Sequence, residues 1–110
     1  MPLLTLSTGT TYNLRKLMDG TTAGSSHTEA ANYKSGMVSR LILKVPNGVA
    51  GTVYVARNNA AISSTDYDLS LKADNSFLDV LHERGNMVDM NEFSIVVSAN
   101  MTLEVYAVPY

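Results

Sequence analysis

The sequence predicts an all-β domain, an antiparallel β-sandwich of jelly-roll or immunoglobulin-like connectivity, on three observations. Apolar and polar residues alternate at period two, as in Met101-Thr102-Leu103-Glu104-Val105-Tyr106-Ala107, so one face of such a segment can enter a core while the other meets solvent. Clusters of Gly, Asn, Asp, Pro and Ser interrupt these segments roughly every ten residues, which gives about seven to eight short strands. The length of 110 residues suits one domain, here 1–110, that buries about two thirds of its unfolded surface without cross-links.

Pro2-Leu3-Leu4-Thr5-Leu6 reads as an opening strand, with proline tolerated at its start. Thr10 to Leu14 fits a second short strand, and Leu14-Arg15-Lys16-Leu17-Met18 fits a single helical turn equally well. From Asp19 to Gly36 the only large apolar residue is Tyr33. So long a stretch without a core-facing pattern predicts a polar flexible loop, at about 19–36, that orders on contact with a partner. Met37 to Val45 then alternates, with Leu41, Leu43 and Val45 on one face. Pro46-Asn47-Gly48 supplies turn residues before Gly51 to Arg57, so Met37 to Arg57 reads as a hairpin.

Asp68 to Lys72 and Phe77 to Leu81 are two further short strands, bounded by turn residues. Phe93 to Val97 and Met101 to Val108 flank Ser98-Ala99-Asn100 and read as a closing hairpin, whose first segment is apolar on both faces and suits a central strand. The expected deep positions are Leu41, Leu43, Val53, Val55, Leu69, Leu71, Phe77, Phe93, Ile95, Val97, Leu103 and Val105.

Composition narrows the function classes. Cysteine is absent, which removes disulfides and thiolate metal sites. Residues 1–60 carry six basic against two acidic side chains, and residues 61–110 two basic against eight acidic. The basic residues are scattered, without an interleaved aromatic ladder, so direct nucleic-acid binding is not expected. The imbalance predicts either pairing between the two halves within one sandwich or a dipolar surface that docks against a larger assembly. No apolar run is long enough to span a membrane, and the first residues lack the pattern of a secretion signal, so the expectation is a chain made in a cytoplasm without a membrane partner.

Chemistry-bearing patterns are few. His27 and His82 titrate near neutrality, but no Gly-x-Ser-x-Gly elbow accompanies them, so neither an enzyme nor a catalytic residue is predicted. Asp66-Tyr67-Asp68 and Asp74-Asn75 have oxygen ligands without the loop spacing of a calcium site, and glycines do not form a phosphate loop. No metal or cofactor is therefore predicted. Tyr54, Tyr67, Tyr106 and Tyr110 would make a sugar-stacking platform if they shared a face, although tyrosine also suits an ordinary sheet surface.

A small all-β chain with a polar arm fits an interaction protein. The Met37 to Arg57 segment, the polar arm and the closing Val105-Tyr106-Ala107-Val108-Pro109-Tyr110 resemble the small β-sandwich decoration, or cement, proteins of tailed bacteriophages. That resemblance implies a non-enzymatic virion protein on the outside of an icosahedral capsid, made in the host cytoplasm. It also implies a homodimer or homotrimer whose partner is the major capsid protein. Thr21, Ser25, His27, Glu29, Tyr33 and Lys34 of the arm, with Tyr106 and Tyr110 of the terminal segment, are then the implied contact residues. The alternative is a glycan- or receptor-binding module of a phage fibre or spike.

Overall fold

The computed structural model describes residues 3–18, 36–74, 76–81 and 87–109. In order these form β1 (Leu3–Leu6), β2 (Tyr12–Asn13), α1 (Leu14–Met18), β3 (Met37–Lys44), β4 (Val53–Arg57), β5 (Leu69–Leu71) and β6 (Phe77–Leu81). There follow β7 (Val88–Asp89), a 3-10 turn (Met90–Glu92), β8 (Phe93–Val97) and β9 (Met101–Pro109). One sheet runs β1-β9-β3-β6, with β7 beside the start of β3, and the other runs β2-β8-β4-β5. All pairings are antiparallel. Successive strands change sheets except at β4 to β5 and β6 to β7, which is jelly-roll connectivity, one of the two expected alternatives.

Most strands send one row into the core, and Ala56 of β4 and Ser94 of β8 are buried from the other row as well. Leu4 and Leu6 of β1, Leu41 and Leu43 of β3, and Leu103 and Val105 of β9 face Tyr12, Val53, Val55, Leu71, Ile95 and Val97 of the other sheet, all inside one core. Tyr12 can enter because its phenolic oxygen accepts a hydrogen bond from the Ser7 amide at 2.8 Å. In β3 the buried positions change phase between Val38 and Leu41, and a register shift between Val38 and Arg40 accommodates this. The extra residue lets both side chains point inward.

Thr10 to Leu14 divides between both readings. Tyr12 and Asn13 pair with β8, then α1 buries Leu14, Leu17 and Met18 at helical spacing. Asn13 caps this turn by accepting the Lys16 amide at 3.1 Å.

Three expectations are corrected. β3 and β4 are not a hairpin: β3 pairs with β9 and β6, and β4 with β8 and β5. The turn chemistry at Pro46-Asn47-Gly48 is real, with Gly48 at φ 83°, but Val45 just before it is buried and Val49 just after it packs on the core, drawing the chain across to the opposite sheet. β8 and β9 likewise lie in different sheets. Ser98 is a corner, where its amide donates to Thr52 O at 3.0 Å and its hydroxyl accepts from the Thr52 amide at 2.8 Å. Phe77 is not a core residue but 58% exposed, because Leu78 and Val80 are the row of β6 that faces Leu43 and Leu41. Leu69 is half-buried and the other expected deep positions are buried. β8 lies between β2 and β4, in mid-sheet.

Ile95→Ala should cost about 2–5 kcal/mol, because truncating a fully buried side chain loses its burial and leaves a cavity in the core. Urea unfolding with an unchanged slope is the measurement. A second comparison isolates backbone strain from crowding. Gly48→Ala meets nothing within 4 Å and should lose only the roughly 1–2 kcal/mol of a positive φ, whereas at Gly36, φ 78°, a Cβ would come 2.6 Å from Asn91 Nδ2 and 2.8 Å from Arg15 Cγ. Gly36→Ala should therefore be the more destabilising of the two.

Candidate functional site

The two outer faces of the sandwich differ in chemistry. On the five-stranded sheet the outward rows are Leu3 and Thr5 of β1, Thr102, Glu104, Tyr106 and Val108 of β9, Arg40, Ile42 and Lys44 of β3, and Phe77, Asp79 and Leu81 of β6. This face carries Leu3, Phe77, Leu81 and Tyr106, which are 50%, 58%, 55% and 41% exposed. Register sets Tyr106 beside Ile42 and Ile42 beside Asp79, and likewise Val108 beside Arg40 and Arg40 beside Leu81. Apolar and charged side chains are thus intermixed across the strands.

The charges on this face cancel. Arg40 Nε and Nη2 donate to the two Asp79 carboxylate oxygens at 3.1 and 2.8 Å, a bidentate clasp between β3 and β6. Those hydrogen bonds, with the opposite charge, raise Arg40 further above its ordinary value and hold the Asp79 carboxyl below the usual carboxylate range. Lys44 stands opposite Glu104 in the β3–β9 register. A second ion pair, Arg57 Nε to Glu92 Oε2 at 3.1 Å, lies at the end of β4, where the guanidinium carbon also sits 5.1 Å from the centre of the Phe93 ring. Arg40–Asp79 and Arg57–Glu92 each join a cation from the first half of the chain to an anion from the second, so part of the charge imbalance is satisfied inside one sandwich.

The four-stranded sheet presents hydroxyls. A shallow cleft of about 570 Å³ is lined by Thr8, Thr10 and Thr11 from the β1–β2 loop, Ser63 and Ser64 from the β4–β5 connection, Ser98 from the β8–β9 corner, and Tyr54 with Val96 from the sheet. Thr8 is tied across the cleft end by its amide, which donates to Asn100 Oδ1 at 3.0 Å. The Tyr54 ring lies 4.7 Å from that of Tyr67, the planes tilted by 50°. Between the sheets, on the side of β5 and β6, is an apolar slot of about 170 Å³ walled by Val55, Leu69, Leu78, Val80 and Phe93.

Of the contact residues expected from the sequence, Tyr106 lies in β9 on the outer face of the five-stranded sheet. Thr21, Ser25, His27, Glu29, Tyr33, Lys34 and Tyr110 lie outside the described residues, as do His82 and Asn75. The expected tyrosine platform divides: Tyr54 and Tyr67 touch, whereas Tyr106 belongs to the opposite sheet. Asp66, Asp68 and Asp74 serve turns. The Asp66 and Ser63 backbones bridge, Asp68 accepts the Arg57 amide at 2.8 Å, and Asp74 accepts from the Ser76 amide at 3.1 Å and from its hydroxyl. Among the described residues no three His, Asp or Glu side chains gather where a metal could sit. The hydroxyl cleft has no signature in the sequence, since its lining comes from three separate loops.

The depressed Asp79 carboxyl sets a sign for acid stability. Its clasp with Arg40 is fully present above the unfolded carboxyl value, roughly pH 4, and is lost as pH falls through the lower folded value. Asp79→Asn should therefore flatten the acid limb of stability below roughly pH 4, leaving a smaller pH dependence than wild type in urea melts. Comparison of the chain with protein-family models, with curated proteins and with solved structures gives no match in any of the three.

Proposed function

We propose that this chain is a non-enzymatic capsid decoration protein that binds the outside of an icosahedral shell and stabilises contacts between capsomers. The observation that carries the reading is the outer face of the five-stranded sheet. There, exposed Leu3, Phe77, Leu81 and Tyr106 lie among charges that cancel, outside a sandwich that already has its own core. Four exposed large apolar residues on one face support reading it as a protein-binding surface. Jelly-roll connectivity is used in virion architecture, an analogy of fold that supports this reading without carrying it. Many modest contacts repeated around a shell would add through avidity, so no single deep pocket is needed.

Quantitative mass spectrometry of purified virus particles from the source of this sequence tests the proposal. Hundreds of copies per particle, released by mild denaturant before the shell opens, are expected, and absence from particles would overturn it. Deleting residues 20–35 should abolish shell binding and leave the unfolding transition unchanged, whereas unchanged binding would remove the arm from the contact.

One observation favours the glycan-binding alternative. Tyr54, whose ring touches that of Tyr67, lines an uncharged cleft rich in hydroxyls, the chemistry of a neutral sugar ring stacked on an aromatic edge. Titrating neutral oligosaccharides against the chain separates the two readings, since saturable binding lost on Tyr54→Ala would support the lectin role.

A further inference from the structure

We propose that the free edge of β6 is the seam of a homodimer, in which β6 pairs antiparallel with β6 of a second copy about a two-fold axis near Asp79. The two five-stranded sheets would then become one continuous sheet. Four observations select a second copy as the occupant.

The first is the edge itself. β6 is hydrogen-bonded to β3 on one side, and among the described residues no strand lies on the other. An open edge is normally blunted by lysine, proline, a bulge or a cover. β6 runs Phe77-Leu78-Asp79-Val80-Leu81 in unbroken register with β3, without lysine or proline. It has the chemistry of a paired strand.

The second is the symmetry of its pattern. Two apolar residues precede Asp79 and two follow it, so an antiparallel two-fold centred there matches like with like. Phe77 falls opposite Leu81 of the second copy on the outer side, and Leu78 opposite Val80 on the inner side. Aromatic and aliphatic cross-strand pairs of this kind stabilise antiparallel sheets.

The third is charge. The axis brings the two Asp79 side chains together, and each is already clasped by its own Arg40, so two neutral ion pairs meet rather than two bare carboxylates. A surface that is neutral and holds equal numbers of both signs is complementary to itself.

The fourth lies on the inner side. Leu78 and Val80 are only half-buried and wall the apolar slot between the sheets. A strand laid along β6 would extend that sheet over the open side and cover them, together with the exposed Phe77 and Leu81.

Edge pairing uses Phe77 and Leu81 but leaves the rest of both outer faces, with Leu3 and Tyr106, coplanar and open, so the dimer would present two such faces side by side. The inference does not rest on the capsid reading, and it is tested on the purified chain alone. Sedimentation velocity across roughly 1–200 µM should show a monomer–dimer equilibrium. The double substitution Phe77→Lys and Leu81→Lys, at side chains more than half exposed, should weaken self-association at least about tenfold and leave the melting transition in place. In the wild-type chain, hydrogen exchange of the β6 amides should slow as concentration rises while that of the β5 amides does not, which needs no substitution. A wild-type chain that stays monomeric through this range overturns the proposal. So does a double variant that dimerises as tightly as wild type, or exchange in β6 that is indifferent to concentration. Failure here would leave the copy-number measurement on particles untouched, and absence from particles would leave the dimer untouched.

Discussion

The structure depends on one constraint: a strand has two rows of side chains and only one of them can face the opposite sheet. Leu4, Leu6, Leu41, Leu43, Leu103 and Val105 from one sheet close against Tyr12, Val53, Val55, Leu71, Ile95 and Val97 from the other. A slip of one residue in any of these strands would send its whole inward row to solvent, so register and core specify each other. The irregularity in β3 illustrates how tightly this holds. Val38 and Leu41 are out of phase for a regular strand, and the backbone takes up the extra residue rather than leave either exposed.

That constraint also explains what was legible in the sequence. Period-two alternation reports which row faces inward, and it identifies Leu41 and Leu43 of β3, Val53 and Val55 of β4, and Met101, Leu103, Val105 and Ala107 of β9 as buried. It does not report which strand lies alongside. Hairpin chemistry at Pro46-Asn47-Gly48 and at Ser98-Ala99-Asn100 reads as a turn back into the same sheet, while burial of Val45 and Val49 and the bonds between Ser98 and Thr52 take the chain to the other one. Local residues set the bend, and the partner comes from contacts dozens of residues away. Phe77 was misplaced for a related reason. Hydrophobicity alone favours burying a phenylalanine, but in β6 both rows are apolar apart from Asp79, and the pairing of Asp79 with Arg40 on the outer face decides which row turns out.

The candidate surfaces were less legible because they are made by the fold rather than by any segment. Tyr106 is read correctly as an outward residue of the last strand, yet its neighbours Ile42 and Asp79 come from β3 and β6, far away in the chain. The hydroxyl cleft draws on threonines and serines that look like ordinary loop filler wherever they stand in the sequence. The sandwich consequently has two dissimilar outer faces, one apolar with compensated charges and one rich in hydroxyls. A chain that rests on another body through the first would show the second to its surroundings.

The position of β9 has a consequence for how the molecule is made. It is the last of these strands to leave the ribosome, and yet it lies inside its sheet, with β1 on one flank and β3 on the other. Until it emerges, β1 has no neighbour in its sheet, and the buried leucines of β1 and β3 have no shared wall to close against. Synthesis must therefore run through this strand before the first one can be tied down, and folding is governed by distant pairings of the kind that make all-β chains slow. Truncation within the final strand removes the bridge between the beginning and the middle of the chain.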